Sequence, residues 1–384
     1  MRPFQVGGLI VLALVVLGGV SLAQASGKPI KIGVACELTG TRAMNGIDRM
    51  RGAQMAVEAI NKAGGVLGRP LELVIEDTKG ESPVAIAVAE KFAQVHKVSA
   101  VIETSFSFLN VAVHEVYWNA GIPFLVGGSS PALTKYGNPY LFRTRTSDTI
   151  TSAVMASFAV ETLKAKRIVV AHIMDDFGYG ARDAVTKVLK DLYGITPVAV
   201  VGIPANLTDA TGPVLEIAKA NPDAVIQYAH GWESGHVYKT RYERGLTKIP
   251  WIVSMGGIDP AAIRMAGADA VINVFSVADF AYDEPNVRAF RQLFMNTWGE
   301  DFMTHESMRA WDLVHLLALA IQKAGSDDPK AIRDALVGIH MRGIRYDIQV
   351  REDGECIFEN KILEVVNGET RFRKLVRFPT DIKL

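Results

Sequence analysis

A charge imbalance, a cysteine-rich segment and a long internal apolar run are all missing from this sequence. The 384 residues contain 41 Lys and Arg and 41 Asp and Glu, so the formal net charge at pH 7 is zero. That balance gives no indication of a nucleic-acid partner, and no apolar run after residue 25 is long enough to cross a membrane. The two cysteines, Cys36 and Cys356, are far apart. An exported protein could pair them, and two separate, half-buried thiols fit the sequence equally well.

Recognisable catalytic and nucleotide-binding motifs are also absent. No G-x-G-x-x-G follows the first predicted strand, and neither G-x-x-x-x-G-K-[ST] nor G-x-S-x-G occurs. His305-Glu306 lacks the second histidine of a zincin helix. We therefore expect a protein that is not an enzyme and that uses no cofactor and no metal. Eight histidines and scattered carboxylates leave a hydrolase open as an alternative, because one fold can host many chemistries.

The N-terminus is typical of a cleavable secretory signal. Arg2 precedes an apolar run over residues 6–20, and residues 21–25 (SLAQA) provide an A-x-A site. Cleavage after Ala25 predicts a soluble periplasmic protein. An uncleaved anchor is the alternative, but the run is short for a membrane span of about 20 residues.

The remaining pattern predicts an α/β protein with two domains. Hydrophobic residues make up 49% of the chain, as in globular proteins, and the length suggests two domains. Residues 30–35 (IKIGVA) form a first strand, residues 37–50 a polar loop and residues 51–62 a helix, with apolar positions at i, i+3, i+4 and i+7. Strands and helices keep alternating, and a second series starts near residue 150. This order predicts parallel, doubly wound sheets.

Two neighbouring predicted strands end in turns that are rich in serine. The apolar runs 100–102 and 122–126 are followed by residues 104–107 (TSFS) and 127–130 (GGSS). The carboxyl ends of parallel strands are where open α/β sheets bind ligands. Hydroxyls at helix N-termini favour a small anion such as a carboxylate there. The alternative is that the serines are ordinary helix N-caps.

Two longer segments carry a resemblance to a known family. Residues 52–80 (GAQMAVEAINKAGGVLGRPLELVIEDTKG) and 120–134 (AGIPFLVGGSSPALT) resemble the branched-chain amino-acid-binding family of ABC-transporter periplasmic proteins. The resemblance extends over residues 30–354. It implies a type I periplasmic binding fold: two Rossmann-like lobes with parallel sheets, three crossovers and a ligand cleft between the lobes.

The resemblance also implies a division of the chain and a function. A signal peptide would occupy residues 1–25. The lobes would comprise residues 26–145 and 279–346 for lobe 1, and residues 146–278 and 347–384 for lobe 2. The protein would be an exported solute-binding protein of an ABC importer, a monomer that closes around a small carboxylate or amino-acid-like ligand and docks on the permease subunits. A ligand-sensing partner of a membrane receptor or kinase is the alternative.

The first lobe of the family supplies the contacts to the ligand carboxylate. By the resemblance, Ser107 and Ser129 would bind it with their hydroxyls, and Gly127 and Ser129 would add backbone groups. Ser105 is the reserve candidate because the register of this turn is open by a residue or two. Charge-assisted hydrogen bonds of this kind need no countercharge.

The second lobe departs from the pattern of amino-acid binders. Those proteins pair the ligand ammonium with an acidic residue, where this chain has Met255 or Gly256. Asp259 comes three or four residues later and could cap the next helix instead. Phe177 replaces a family tyrosine, either touching the ligand or packing within its loop. Trp232 would stack on a flat ligand or cover the lobe surface.

Arginines near the predicted cleft complete the candidate set. Arg42 lies near the mouth and could attract an anion or remain solvated. Arg143 and Arg145 are expected to be salt-bridge partners near the crossover. Because a buried ammonium needs an acidic partner, these departures predict a carboxylate without an α-amine, either an aromatic or a short organic acid, or else a neutral amide.

Overall fold

The computed structural model of the protein describes residues 26–357, 359–377 and 381–382. The predicted signal peptide, residues 1–25, lies outside this part of the chain. Among the helices of the described ranges, none has both the length and the apolar character needed to cross a membrane.

The first lobe is built on a parallel sheet of five strands. Its elements are β1 (Ile30–Cys36), α1 (Ala43–Lys62), β2 (Leu71–Asp77), α2 (Ser82–Glu90), β3 (Ala100–Ile102), α3 (Ser107–Ala120), β4 (Phe124–Val126), α4 (Ala132–Lys135) and β5 (Leu141–Arg143). The strands pair in the order β2-β1-β3-β4-β5. Strands β3, β4 and β5 are fully buried, as expected where helices cover both faces of a parallel sheet.

The second lobe repeats this arrangement. Its elements are α5 (Asp148–Ser157), β6 (Ile168–Ile173), α6 (Asp176–Tyr193), β7 (Ala199–Ile203), α7 (Thr211–Lys219), β8 (Ala224–Tyr228), α8 (Gly231–Glu243), β9 (Trp251–Val253), α9 (Pro260–Ala266) and β10 (Val274–Ala278). The parallel order β7-β6-β8-β9-β10 matches that of the first sheet. The predicted α/β fold with two parallel sheets is therefore confirmed.

The C-terminal part of the chain completes both lobes. Its elements are α10 (Pro285–Trp298), α11 (Glu306–Ala324), α12 (Pro329–Leu336), β11 (His340–Arg342), β12 (Asp347–Val350), β13 (Cys356–Ile357), β14 (Asn360–Val366) and β15 (Glu369–Val376). Helix α11 packs along α1 in the first lobe. Strands β14 and β15 form an antiparallel hairpin on the β10 edge of the second sheet.

Packing of these elements moves the expected lobe boundaries along the chain. We expected residues 279–346 in the first lobe, but the buried face of α10, including Phe290, belongs to the core of the second lobe. We expected residues 347–384 in the second lobe, but β12 packs into the core of the first. We propose that the chain returns to the first lobe at residues 299–305 and leaves it between β13 and β14.

The predicted loop before the first helix is wrong in part, because α1 begins at Ala43. Polar side chains near the start of α1 have buried partners elsewhere in the protein. The Asp48 carboxylate accepts hydrogen bonds from the amides of Met303 and Thr304, at 2.8 and 2.6 Å. Arg49, the next residue, is fully buried. A polar stretch whose partners lie 250 residues away carries no apolar periodicity, so the sequence alone indicates a loop.

The two cysteines are separate thiols. Cys36 at the end of β1 and Cys356 in β13 are both buried and free, and both belong to the first-lobe core. Burial raises the pKa of Cys36 to about 12, an effect that Arg49 opposes. Of the two possibilities that the sequence left open, the structure therefore has the unpaired one.

Close approach of α1 to α11 predicts that one glycine controls the stability of the first lobe. A Cβ at Gly52 would lie 2.0 Å from the carbonyl oxygen of Ser307. We expect Gly52→Ala to lower the free energy of unfolding by about 2 kcal/mol or more, because neither backbone can yield without separating the helices. Urea denaturation measures this change. Gly212→Ala in α7 is the matched control, since its Cβ would meet nothing within 4 Å, and an equal loss in both variants would contradict the prediction.

Candidate functional site

A cleft lies between the two lobes, at the carboxyl ends of their parallel strands. Residues from both lobes line its main cavity. The first lobe lines it with Asn45, Ser105, Phe106, Ser129, Arg145 and His305, and the second with Phe177, Ala229, His230, Gly231, Ser254, Gly256 and Asp259. A ligand here would touch both lobes.

The turns after β3 and β4 are tied together by backbone amides. The bonds run from Gly127 N to Thr104 O (3.0 Å), from Gly128 N to Asn110 Oδ1 (3.1 Å) and from Ser130 N to Ser107 Oγ (3.2 Å). Ser129 is the exception in this turn. Within the described residues its amide donates no hydrogen bond, and its buried hydroxyl has no partner in good geometry. Ser129 therefore offers two donors to a ligand.

Two of the predicted first-lobe contacts lie behind the cavity wall. Ser107 is buried at the start of α3, and its hydroxyl accepts the amide of Ser130. The main-chain amide of Gly127 already donates to the carbonyl of Thr104. A Cβ at Gly127 would lie 2.1 Å from Oγ of Ser105, so glycine is needed there for close approach. Both residues shape the turns and do not face the cavity.

Ser105, the reserve candidate, does line the cavity. Its hydroxyl donates to the buried carboxylate of Glu306. That carboxylate also binds Arg49, at 2.7 Å, and Arg309, at 3.1 Å. Burial alone would raise the pKa of Glu306, but Arg309 and Arg49 lower it well below its usual value. The Ser105 hydroxyl is thus committed to Glu306 and can only accept from a ligand.

A second buried carboxyl group supports the same turn from behind. Glu103 accepts hydrogen bonds from the Tyr117 hydroxyl, at 2.7 Å, and the Thr104 amide, at 3.1 Å. Its main-chain carbonyl accepts from Nη2 of Arg309, at 2.5 Å. Burial raises the pKa of Glu103 to about 7, and the hydrogen bonds from Tyr117 and Thr104 oppose that rise.

Two arginines lie at the end of β5, and they differ in their surroundings. Arg143 is fully buried, pairs with Glu355 at 3.2 Å and donates to the carbonyl of Ser129. Arg145 is half-buried in the cavity wall. Its one hydrogen bond, to the carbonyl of Gly127, is 3.4 Å long, and no carboxylate of the described residues lies within 4.0 Å of it. The expected salt bridge is therefore present at Arg143 and missing at Arg145.

The nearest acidic neighbour of Arg145 is a buried aspartate at the start of α5. Burial raises the pKa of Asp148, and the charge of Arg145 and the nearby Ser129 hydroxyl oppose that rise. Arg145 and Asp148 therefore interact through their charges although no ion pair within 4.0 Å joins them. The cavity wall presents the Arg145 guanidinium together with Ser129.

An aromatic wall from the second lobe faces these polar groups. The Phe177 ring stacks on the His230 ring, with centroids 5.2 Å apart and planes at 26°. Phe106 of the first lobe meets His230 edge-on at 4.9 Å. His230 Nε2 lies 2.9 Å from Oδ2 of Asp175, and Oδ1 of the same side chain accepts the amide of Gly178 as the N-cap of α6. The arrangement places aromatic rings from both lobes in the cavity wall.

Asp259 lies in the cavity wall, but it does not cap α9 with its side chain. Its carboxylate accepts the His305 amide at 3.1 Å and faces His305 Nδ1 at 2.9 Å. The Tyr282 hydroxyl donates to the same oxygen, at 2.9 Å. These three contacts all fall on Oδ1, and Oδ2 lies 3.1 Å from the same His305 nitrogen, so the carboxylate already has partners within the protein.

The remaining predicted residues are divided between the core and the mouth of the cleft. Met255 is buried in the second-lobe core, and Gly256 lines the cavity. Trp232 and Arg42 line an adjoining space toward the mouth. Trp232 Nε1 donates to the Leu207 carbonyl at 2.9 Å, so this indole is held within its own lobe.

Comparison with known sequences decides the family. The model of the periplasmic binding protein family matches residues 29–369. The chain belongs to this family. The resemblance to branched-chain amino-acid-binding proteins is thereby confirmed, and the chain falls among solute-binding proteins.

Curated relatives and solved structures of the periplasmic binding protein family agree with this assignment. An amino acid binding protein of Pseudomonas aeruginosa is 33% identical over 62% of this chain and 63% of its own length. A leucine-, isoleucine-, valine-, threonine- and alanine-binding protein of the same species is 28% identical over 84% of this chain and 86% of its own. The LivJ protein of Streptococcus pneumoniae, solved with isoleucine, is 25% identical, with a TM-score of 0.82 over 91% of this chain and 99% of its own.

Solved structures of lower sequence identity share the fold. A solute-binding protein of Rhodopseudomonas palustris, solved in complex with benzoate, is 20% identical with a TM-score of 0.83, over 93% of this chain and 99% of that one.

Among the cavity-lining residues that the sequence did not indicate, three carry a guanidinium or an imidazole group: Arg145, His230 and His305. Arg145 was treated as a salt-bridge partner, and its position two residues past β5 was the available signal. His230 follows β8 directly, as ligand-facing residues do in this fold. His305 had no local signal, because its partner Asp259 lies 46 residues away in sequence.

The raised pKa of Glu103 predicts how stability depends on pH. The folded protein keeps a proton that the unfolded chain loses above about pH 4.3, so this contribution to stability is lost as the pH rises toward the folded pKa of about 7. Glu103→Gln removes this titration and keeps a donor and an acceptor for Tyr117 and Thr104. Relative to wild type, the variant should gain about 2 kcal/mol between about pH 5 and about pH 8. Urea denaturation at both pH values measures it, and a pH-independent difference would contradict the assignment.

Proposed function

We propose that this protein is the exported solute-binding subunit of an ABC importer. It acts in the periplasm after removal of residues 1–25 and passes its ligand to the permease in the membrane. Membership of the periplasmic binding protein family supports this role. So does the cleft, whose walls come from both lobes.

The charge balance of the cleft supports a ligand with one carboxylate. Arg145 is the cavity-lining cation without an ion pair within the described residues. The nearby carboxylates already have partners: Asp175 faces His230, Asp259 faces His305, and Glu306 binds Arg49 and Arg309. A ligand carboxylate would give Arg145 the ion pair that no described residue provides. The ammonium of a zwitterion would lack an uncommitted acidic group, which is costly in a closed cleft.

The binding sequence follows from the positions of these groups. The ligand carboxylate first meets the amide and hydroxyl of Ser129 and the guanidinium of Arg145 on the first lobe. The ring or apolar body of the ligand then lies against Phe177 and His230, which reach it only when the cleft closes. Ligand binding thus shifts the open–closed equilibrium by its higher affinity for the closed form.

Names of relatives include both ligand classes. Several curated relatives are named for leucine, isoleucine and valine, whereas some neighbours in fold were solved with benzoate or hydroxybenzoates. The aromatic wall and the unpaired Arg145 favour the second class, an aromatic or short organic acid without an amine.

A ligand panel tests the proposed class. The mature protein is screened by thermal shift against benzoate, short organic acids, leucine, valine, benzamide and urea. Only amine-free acids are expected to stabilise it, since a ligand at about 100 times its dissociation constant adds about 2.7 kcal/mol. Isothermal titration then gives the affinities. Tight binding of leucine, lost in Asp259→Ala, would contradict the proposal and support an amino-acid binder.

Adjacent serines provide a test of the carboxylate contact. Ser129→Ala should weaken binding of the active acid by about tenfold or more, because it removes a hydrogen bond to a charged group. Ser130→Ala is the matched control, since this neighbouring buried hydroxyl does not line the cavity. Titration calorimetry of both variants measures the change, and equal losses would exclude a specific role for Ser129.

A further inference from the structure

The mouth of the cleft is bridged by contacts between the two lobes. Thr41 follows β1 of the first sheet, and Asn206 follows β7 of the second. Thr41 Oγ1 donates to Oδ1 of Asn206 at 2.6 Å, and Nη1 of Arg42 donates to the same oxygen at 3.4 Å. One amide oxygen of the second lobe thus receives two donors from the first.

The second-lobe side of this bridge is held in place by its own lobe. Asn206 has a backbone φ of 60°, which asparagine tolerates better than most residues. The main-chain amide of Asn206 donates to Oε1 of the buried Glu233 at 2.8 Å. The next residue, Leu207, accepts the indole N–H of Trp232 at 2.9 Å. The Asn206 side chain is therefore presented to the first lobe by contacts that do not depend on it.

The first-lobe side is also pre-positioned. The Arg42 guanidinium lies over the rings of Phe106 and Phe108, 4.9 and 5.2 Å from their centroids. These cation–π contacts lie within the first lobe. The Arg42 side chain therefore loses little further conformational freedom when closure of the cleft brings Asn206 to it.

We propose that Thr41, Arg42 and Asn206 form a closure clasp, which stabilises the closed form and thereby sets the affinity for every ligand of this cleft. The inference rests on the proposed solute-binding function. Thr41 and Arg42 belong to one lobe and Asn206 to the other, so a rotation that opens the cleft at this mouth separates the clasp. Contacts that exist only in the closed form raise apparent affinity without touching the ligand.

The clasp predicts a loss of affinity that does not depend on ligand chemistry. Asn206→Gly keeps the positive φ accessible and removes both hydrogen bonds, so it should weaken every bound ligand about tenfold, chiefly through faster dissociation. Thr41→Val should weaken binding less, and should add nothing to Asn206→Gly. Stopped-flow fluorescence and titration calorimetry measure these changes.

Each substitution has a matched control in the same chain. Asn221→Gly changes another exposed asparagine with a positive φ of 46°. Arg167 donates a hydrogen bond to the main-chain carbonyl of Asn221 and not to its side chain. Thr39→Val removes a hydroxyl from the same loop as Thr41, but that hydroxyl bonds Asp77 within the first lobe. Both controls should leave affinity unchanged. An affinity loss in Asn206→Gly that is limited to one ligand, or absent, would overturn the proposal.

A distance measurement tests the clasp without a known ligand. Dyes are attached at Glu81→Cys and Thr208→Cys, exposed positions on opposite lobes, while the native thiols are buried. Single-molecule energy transfer should show a smaller closed fraction for Asn206→Gly than for wild type. Equal fractions, or a wild type that never closes with any ligand of the panel, would overturn the clasp. A third outcome would contradict the proposed ligand class alone: Asn206→Gly reduces the closed fraction, but no carboxylate increases it.

Discussion

One buried carboxylate, shared by two guanidinium groups, holds the floor of the cleft together. Glu306 at the start of α11 binds Arg49 of α1 and Arg309 of its own helix, and it accepts the hydroxyl of Ser105 after β3. Breaking such a buried network leaves an uncompensated charge, which typically costs about 3–5 kcal/mol. Two helices and a strand end are thereby fixed against each other. The donors of Ser129 are attached to that rigid base.

The two lobes share a strand order but contribute different chemistry. Both sheets place their carboxyl ends at the cleft, so a ligand held there contacts loops from two independent cores. The first lobe supplies the polar contacts, Ser129 and Arg145. The second supplies the aromatic rings of Phe177 and His230. A carboxylate with an apolar body matches this division.

Alternation of buried strands with helices made the fold predictable from the sequence, because each element carries its own local pattern. The site was predictable only where its signal was also local. Ser129 and Gly256 follow strand ends, and both line the cavity. Ser107 has the same kind of position, yet its hydroxyl turns inward to an amide of the neighbouring turn. The pairing of Asp259 with His305 depends on residues that only the tertiary fold brings together, and no pattern in the sequence indicates it.

Neither lobe is continuous in the chain, and this affects the order in which the protein folds. Helix α1 emerges early in synthesis, but its partner α11 follows about 250 residues later, after the five parallel strands of the second sheet have been made. The outer edge of that sheet, in turn, waits for the hairpin of β14 and β15. Since contacts that are distant in sequence form slowly, the newly made chain remains incompletely folded until its last segment is available. A protein that has to pass through a membrane before it folds would benefit from that delay.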